Sequence, residues 1–494
     1  MKKKKGLDNY FKISERKSSI KVEIFAGITT FLAMAYILVV NPNNILWAGT
    51  SDPRFSSVFI ATALGSFIGC LLMAFFANMP LAQAPGMGFN AIIGSIIGGS
   101  MGFAFSYGNA MAMIFLSGII FALLSILPGG KDRVTGKKVS IREKIFDGIP
   151  KPIRQSIPVG IGLFITFIGL QNAHLVVDNE FTLLSLVKFN NPSNWVHGGI
   201  ACSALVTLFG LFVITVLSHY KVKGSVLIGI ISSTLLAIPL GVADLSILYG
   251  DVPGISWNFW ENIGGFFNVN NGVFLSVFNG GFNLPDGSLL SFIVMILTFT
   301  LIDLFDTLGT VIGCCKNANL LDENGKPINF KETMYSDCLA TLSSSMLGTS
   351  TVDTFVESGA GISEGGRTGF TPLVVGILFI LSIFMLPIFA FIPSEAAASS
   401  LIYVGVLMMQ NVKEIDFSNI KYAVPSFLTI IIMLLGYSIT DGIGIGIVSF
   451  VIIDFIIYII DLVRGDENSK LESNLVTFIV FILFLIYFLV PTII

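Results

Sequence analysis

Long apolar runs separated by short polar segments set the pattern of this chain. Many of these runs approach or reach the ~20 residues that a helix needs to cross a lipid bilayer. Dividing them at Pro, Gly and charge clusters predicts fourteen membrane spans. The spans lie near residues 22–40, 56–78, 82–100, 108–127, 156–172, 198–218, 224–241, 288–313, 332–348, 350–365, 370–391, 395–411, 422–438 and 440–462. A fifteenth apolar run, 475–494, is either a further span or a hairpin lying in the membrane.

Composition supports the same class of protein. Of the 494 residues, 54% are hydrophobic and 12% are charged, against ~25% charged residues in a typical soluble protein. The chain is therefore predicted to be an all-α polytopic membrane protein. Residues 1–21 are basic and lack the apolar core and cleavage site of a signal peptide, so we expect a cytoplasmic N-terminus.

The distribution of basic residues agrees with this orientation. With fourteen spans and the N-terminus inside, all of the 28 Lys and Arg residues except Arg54 and Lys188 fall in cytoplasmic segments. The connection 242–287 contains neither Lys nor Arg and is placed outside, where its Trp and Phe residues are expected to form an interfacial aromatic layer. The five cysteines have neither metal-ligand spacing nor a disulfide pattern and are interpreted as small apolar fillers.

Two of the predicted spans are interrupted. In the third span, Pro85 and the two glycines that follow it disrupt the helix before a restart near Asn90. The front half of the tenth span, 349–356, is β-branched and polar, which favours a short strand, and a helix is expected from near Glu357. Irregular backbone at membrane depth is tolerated only where protein buries it or water lines it, so both interruptions predict a binding cavity.

The two interrupted spans are seven spans apart and run in opposite directions in the predicted topology. One such segment alone would be explained by tight helix packing. A pair at matching positions is typical of inverted-repeat transporters with a site at the membrane midplane. The spacing therefore predicts an inverted-repeat transporter whose two halves are offset by an odd number of spans. The restarted helices would direct backbone N–H groups and positive dipole ends towards a ligand.

Carboxylates inside the spans are the candidate chemistry. Asp303 and Asp306 share one face of the eighth span, and Glu357 begins the second half of the tenth. No Lys falls within the core spans, so these groups are expected to take up protons, bind a cation or accept hydrogen bonds from substrate. All three are candidate proton-coupling residues, although the same carboxylates would also serve Na⁺. Asp353 and Glu364 are weaker candidates, because a helix cap or an interhelical hydrogen bond explains them equally well.

Four stretches of sequence carry a family resemblance. They are Gly27–Ile37, Ala84–Ala91, Phe305–Thr310 and Thr354–Gly369. These stretches resemble the purine permeases of the nucleobase–cation symporter 2 superfamily, and within it the azaguanine-permease-like branch, over about residues 20–465. The resemblance implies homodimers in the cell membrane that import adenine, guanine and hypoxanthine with protons through an elevator-like movement of a core domain.

The resemblance also implies a fold of two inverted seven-helix repeats, which the sequence completes with short strands in spans three and ten. It further implies a division of the chain into domains. The core domain comprises spans one to four (22–127) and eight to eleven (288–391). The gate domain comprises spans five to seven with the outer aromatic loop (156–287) and spans twelve to fourteen (392–465). A cytoplasmic tail (1–21), a basic cytoplasmic loop (128–155) and an apolar C-terminal segment (466–494) complete the chain.

Individual residues match the family position by position. Asp306 and Glu357 match the acids that hydrogen-bond the base, Asp303 matches a further acid of the purine branch, and Asn90 matches the amide needed for purine recognition. A purine offers N–H donors to carboxylates and ring acceptors to the N–H groups at the half-helix starts, where Gly88 and Ser358 lie. Phe89 or Phe355 would stack on the ring.

Other functions fit the sequence less well. There is no nucleotide-binding glycine–lysine motif, so an ion gradient rather than ATP is the expected driving force. The three His residues lie in or beside predicted loops, which argues against a membrane enzyme. An anion exchanger of the same fold, a uracil or xanthine permease and an acid-lined channel remain as alternatives. No cofactor, metal or nucleic-acid partner is predicted.

Overall fold

The computed structural model describes most of the chain. The described residues are 6–46, 49–97, 105–131, 138–140, 149–179, 182–222, 224–249, 255–269, 272–321, 327–464 and 470–489. Between residues 301 and 317 the backbone is described, but several side chains are not, and the side chain of Asp306 is one of these.

Helices dominate the described residues. In chain order they are α1 (Gly6–Phe11), α2 (Ile20–Met34), α3 (Ile37–Ile45), α4 (Phe55–Leu72), α5 (Met87–Ile97), α6 (Tyr107–Ile126), α7 (Lys151–Asn172), α8 (Ile200–His219), α9 (Ser225–Leu240), α10 (Ser246–Tyr249), α11 (Phe259–Phe267), α12 (Leu289–Ala318), α13 (Phe330–Leu347), α14 (Ser358–Ser363), α15 (Phe370–Ser382), α16 (Leu386–Ala390), α17 (Ser394–Met408), α18 (Ile420–Leu435), α19 (Ile439–Val463) and α20 (Leu475–Leu489). A π-helical turn, Met73–Ala77, follows α4.

Three two-stranded antiparallel sheets accompany the helices. Their strands are β1 (Gln83–Pro85) with β6 (Val352–Thr354), β2 (Pro128–Lys131) with β3 (Lys138–Ser140), and β4 (Val176–Asn179) with β5 (Leu183–Leu186). The second and third sheets each pair strands that are close in the sequence. The first joins segments more than 250 residues apart in the chain, because Gln83 pairs with Thr354 and Pro85 with Val352.

Apolar helices of membrane-spanning length confirm a multi-pass membrane protein. Within the described residues, 7 helical stretches are long and apolar enough to cross a bilayer. They are Ile20–Ile45, Phe55–Ala77, Tyr107–Ile126, Lys151–Asn172, Ile200–His219, Phe370–Ala390 and Ile439–Val463. Shorter apolar helices occupy several of the remaining predicted spans, and the count of fourteen stays a prediction.

The chain forms two compact units. The first contains residues 1–119, 168–284 and 306–403, and the second contains residues 120–167, 285–305 and 404–494. Helix α4 lies at the centre of the first unit, where it contacts α3, α13, α15 and β1. Gly69 makes this packing possible, because a Cβ there would lie 2.7 Å from Val352 Cγ1 and 3.0 Å from Gln83 Cβ. The division into core and gate domains stays a prediction.

The starts of the restarted helices were expected near Asn90 and Glu357. Helix α5 begins at Met87, three residues earlier than expected, because the Gly86 N–H donates to Thr351 O at 2.9 Å and the Asn90 N–H already closes a helical turn onto Gly86 O at 3.1 Å. Helix α14 begins at Ser358.

The apolar C-terminal run had two interpretations, a further span or a hairpin. Residues 475–489 form the single continuous helix α20, so no hairpin turn lies within them. A Cβ on Gly444 of α19 would lie 2.5 Å from Phe484 Cδ1 of α20, so the two helices are in close contact.

Candidate functional site

The strand pair β1–β6 organises the candidate site in the first unit. Every residue of both strands is buried. The pairing extends one residue beyond the strands at each end, through Gly86 N–H to Thr351 O at 2.9 Å and Phe355 N–H to Ala82 O at 3.0 Å. Since Pro85 has no N–H and β-branched residues prefer extended backbone, each segment is unsuited to a continuous helix and satisfies its backbone groups through the other.

The antiparallel pairing sets the direction of the two half-helices. Helix α5 leaves the strand pair at the end where β6 begins, and α14 leaves it at the end where β1 begins. The N-terminal ends of both helices therefore face the strand pair from opposite sides. A helix N-terminus carries a partial positive charge, so the strand pair lies between two such charges.

Glu357 lies in the turn between β6 and α14. Its carboxylate is half-buried, and Tyr36 donates a phenolic hydrogen bond of 2.7 Å to Glu357 Oε1. Tyr36 is 1% exposed and lies in the short turn between α2 and α3. The carboxylate is thus held by a neutral donor at the positive end of a helix, which suits a group that accepts further hydrogen bonds.

Asn90 lies in the first turn of α5 and is fully buried. Its Oδ1 accepts a short hydrogen bond from Ser350 Oγ, on the segment that leads into β6. Its Nδ2 is buried and has no hydrogen-bond partner among the described residues, and the same holds for Thr351 Oγ1 and Thr354 Oγ1. Buried polar atoms are rarely left unsatisfied, so these three atoms are candidates to meet a ligand or water.

The other predicted site residues have more varied surroundings. Ser358 is buried, and its Oγ accepts a hydrogen bond of 2.9 Å from the Ala82 N–H, so this hydroxyl joins α14 to the start of β1. Gly88 and Phe89 are buried in the first turn of α5, and Phe355 is 6% exposed beside Glu357. The first unit therefore brings most of the predicted residues to the strand pair.

The two aspartates of the eighth span are distributed differently. Both belong to α12, as expected, but Asp303 falls in the second unit and is 1% exposed, whereas Asp306 is the first residue of α12 in the first unit. The side chain of Asp306 lies outside the described part of the structure. The weaker candidate Asp353 is buried in β6, where a Cβ on Gly86 would lie 2.5 Å from its Oδ2.

Asp337 is a buried acid that the sequence analysis missed. It lies in α13 and is fully buried, accepting hydrogen bonds from Gln83 Nε2 at 3.1 Å and Thr307 Oγ1 at 2.9 Å. It therefore connects β1 to α12 one residue after Asp306. The signal was present, because Asp337 is a carboxylate inside a predicted span, like Asp303.

A polar network holds the segment that follows α14. Glu23 accepts hydrogen bonds from Arg367 N at 3.0 Å and Thr371 Oγ1 at 2.5 Å. Arg16, which precedes the first span, donates to Asn78 O at 2.5 Å and Arg367 O at 2.9 Å. Burial lowers the pKa of Arg16 from its usual value, although the charge of Glu23 opposes this effect.

In the described part of the chain no group of three or more His, Cys, Asp and Glu is arranged to hold a metal.

Comparison with known proteins identifies the family. A permease family model (Xan_ur_permease) matches residues 21–445. A putative permease of Methanocaldococcus jannaschii is 36% identical over 91% of this chain and 92% of its own length. The adenine permease AdeP of Escherichia coli is 35% identical over 90% and 89%, and the guanine/hypoxanthine permease PbuG of Bacillus subtilis is 34% identical over 98% and 99%.

Solved structures show a related fold at low sequence identity. The transmembrane domain of the cyanobacterial bicarbonate transporter BicA matches with a TM-score of 0.57 and 14% identity, over 86% of this chain and 97% of that domain. The murine anion transporter Slc26a9 in its inward-facing state matches with a TM-score of 0.56 and 10% identity, over 90% of this chain and 69% of its own. The family resemblance inferred from the sequence motifs is thus confirmed, and the chain belongs to this permease family as a multi-pass membrane transporter rather than an enzyme.

Proposed function

We propose that this permease imports purine nucleobases across the cytoplasmic membrane by proton symport. The substrates are adenine, guanine and hypoxanthine, which the names of AdeP and PbuG attribute to those relatives. The N-terminus is cytoplasmic, the transporter is a homodimer, and the core domain moves in an elevator-like manner.

The observation that carries the proposal is the carboxylate of Glu357 at the start of a half-helix beside a buried strand pair. A purine is a flat, neutral heterocycle with N–H donors, and a carboxylate is the strongest acceptor a protein can offer such donors. The unpartnered Asn90 Nδ2 supplies a donor for a ring nitrogen. The site thus offers complementary groups to both kinds of atom on the purine edge.

The remaining residues complete the proposed site. Asp306 hydrogen-bonds the base together with Glu357, and Asp303 tunes protonation from the same helix. Phe89 or Phe355 stacks on the ring. The backbone around Gly88 and Ser358 supplies N–H donors. The coupling proton is carried by Asp303, Asp306 and Glu357 as a group.

An anion exchanger is the main competing function, because the two transporters with a related fold are named for bicarbonate and for anions. Two helix N-termini facing one strand pair would attract an anion if nothing else were present. Glu357 places a negative charge beside one of these N-termini, which opposes an anionic ligand. The carboxylate therefore favours a neutral substrate with N–H donors. Uracil and xanthine are the competing substrates of that kind.

Uptake into proteoliposomes tests the proposal. Radiolabelled adenine, guanine and hypoxanthine are supplied outside an inwardly directed proton gradient, with xanthine, uracil and bicarbonate as competitors. We expect concentrative purine uptake with accompanying proton entry, and a protonophore should abolish accumulation without stopping equilibration. Bicarbonate exchange without purine uptake would overturn the proposal. Accumulation that needs external Na⁺ and survives collapse of the proton gradient would overturn proton coupling alone.

The division of roles on α12 needs separate variants. Asp306→Asn should abolish purine binding to the purified protein, whereas Asp303→Asn should retain binding and lose proton-driven accumulation. If Asp306→Asn binds like the wild type and Asp303→Asn does not bind, the two roles are exchanged.

A further inference from the structure

We infer that Tyr36 is a positioning residue that fixes the Glu357 carboxylate and thereby sets the selectivity among purines. This inference rests on the proposed function, since it concerns the same site. Tyr36 belongs to the motif Gly27–Ile37, which carries part of the family resemblance but had no assigned role. The structure gives this motif a physical task, which is to hold the segment that contains Glu357.

A break in the first span places the phenol. Helix α2 ends at Met34, the Ala35 N–H donates to Phe31 O at 2.7 Å, and α3 begins at Ile37. The carbonyl of Tyr36 accepts hydrogen bonds from Val39 N and Val40 N, both at 3.0 Å. The backbone on both sides of Tyr36 is therefore fixed, and its buried side chain has little freedom to leave Glu357.

Helix α2 also contacts the segment after Glu357 at two further places. Gly361 of α14 lies so close to α2 that a Cβ would be 2.6 Å from Ala26 O and would collide with Thr30 Oγ1. At the second place, a Cβ on Gly27 of α2 would lie 2.6 Å from Val374 Cβ of α15. Helix α14 is thus packed directly on α2. The Tyr36–Glu357 hydrogen bond adds a polar contact between the residues that follow α2 and those that precede α14.

The chemical consequence is an oriented acceptor. A carboxylate that rotates freely accepts N–H donors from many directions, whereas one with Oε1 held at 2.7 Å by a buried phenol has a restricted range of orientations. Adenine offers an exocyclic amino group where guanine and hypoxanthine offer a carbonyl and an adjacent ring N–H. A carboxylate of restricted orientation discriminates between these edges of the purines, because a mismatched base leaves polar groups unpaired.

Tyr36→Phe removes only the hydroxyl and is the test. Tyr107→Phe is the matched control, since Tyr107 is a buried tyrosine of the same unit, 5% exposed, whose OH donates to Gly348 O at 2.7 Å. We expect Tyr36→Phe to raise KM for the preferred purine about tenfold at near-normal Vmax and membrane abundance. The ratio of the KM values for any two of adenine, guanine and hypoxanthine should also move closer to one. Tyr107→Phe should leave that ratio unchanged.

Two results would overturn the inference. One is an unchanged KM ratio in Tyr36→Phe at normal abundance, and the other is an equal narrowing in both variants, which would indicate a general effect of losing a buried hydroxyl. Equilibrium binding of the three purines to purified protein gives the same ratio without transport, so poor membrane insertion of a variant does not obscure the answer. Failure of the proposed function would be recognised separately, as absence of purine uptake by the wild-type protein.

Discussion

Two acidic residues, Glu357 in the first unit and Asp454 in the second, accept hydrogen bonds from donors of different charge. Glu357 in the first unit accepts a hydrogen bond from the neutral phenol of Tyr36. Asp454 in the second unit, 1% exposed within α19, forms an ion pair with Lys421 Nζ at 2.8 Å. A lysine neutralises the charge of the buried acid that it pairs with, whereas a phenol donates a hydrogen bond without bringing a compensating charge. The contrast separates a structural acid from a candidate binding acid.

The Asp454 cluster fastens the C-terminal helix to its neighbours. Asp454 Oδ2 accepts hydrogen bonds from Ser473 N at 2.7 Å and Ser473 Oγ at 2.6 Å. Lys421, at the start of α18, also pairs with Glu472 at 2.9 Å. Three segments of the second unit therefore meet at one ion pair, just before α20 begins. The cluster therefore joins α18, α19 and the segment that leads into α20.

The first prediction tests the binding acid. Glu357→Gln keeps the shape of the side chain but removes the charge, and hydrogen bonds to charged groups contribute about 1.5–3 kcal/mol. Purine uptake should fall roughly tenfold to a hundredfold, with normal membrane abundance and an unchanged melting temperature. The measurement is initial-rate uptake in proteoliposomes beside a thermal melt of the purified protein.

Glu364→Gln is the control for this variant, because Glu364 lies at the other end of α14 and is half-buried. It should transport at a rate within about twofold of the wild type. An equal loss of uptake in both variants would mean that α14 merely tolerates no change of charge, and the contrast between Glu357 and Asp454 would lose its functional meaning.

The second prediction tests the structural acid. Lys421→Met leaves Asp454 and Glu472 without their cation, and breaking a buried ion pair costs about 3–5 kcal/mol. Because Lys421 is partly exposed, we expect the lower end of that range. The free energy of unfolding should fall by about 3 kcal/mol, seen as a lower melting temperature in detergent, while KM for purine stays unchanged.

Lys413→Met is the control for this variant. It removes an exposed lysine that precedes α18 and should have little effect on the melting temperature. In the double variant Lys421→Met with Asp454→Leu, much of the lost stability should return, because the uncompensated charge at Asp454 is also removed. A change in KM caused by Lys421→Met would show that the cluster acts on transport and would erase the distinction.

The third prediction concerns Asp337, which accepts from neutral donors, as Glu357 does, and is buried, as Asp454 is. Its carboxylate accepts hydrogen bonds from the side chains of Gln83 and Thr307. Asp337→Asn replaces one acceptor oxygen by an NH₂ group, which faces a donor and leaves one buried hydrogen bond unmade, at a cost of about 1–3 kcal/mol. Uptake and melting temperature should fall together. Loss of uptake at an unchanged melting temperature would instead place Asp337 among the binding acids.

Much of the fold could be predicted from sequence because the bilayer imposes its own length scale. Apolar runs of ~20 residues, the Pro–Gly interruption near Pro85 and the β-branched run before Glu357 are local features, and they predicted the spans and the two interruptions. Tyr36 could not be found in this way. Its proposed role rests on a contact with a residue 321 positions away, and Gln83 likewise contacts Asp337 across 254 positions. The hydrogen bond from the Gly86 N–H to the Thr351 carbonyl, just before α5, is likewise a contact between distant residues.

The last and smallest effect sharpens the comparison with an ion pair near the surface. Asp52 and Arg54 lie between α3 and α4 and pair at 2.6 Å, with Arg54 32% exposed. Burial acts to raise the pKa of Asp52, but hydrogen bonds and the charge from Arg54 outweigh it and hold the pKa below its usual value. The pair therefore stabilises the protein above the ordinary carboxyl range, near pH 4, and this contribution is lost as pH falls through the depressed pKa. Exposed pairs contribute up to about 1 kcal/mol, so Asp52→Asn should lower the melting temperature by only a few degrees or less at pH 7. The difference between variant and wild type should vanish in acid, where Asp52 is protonated in both folded and unfolded wild type. A difference that persists undiminished to about pH 2 would mean that the side chain acts through packing rather than charge.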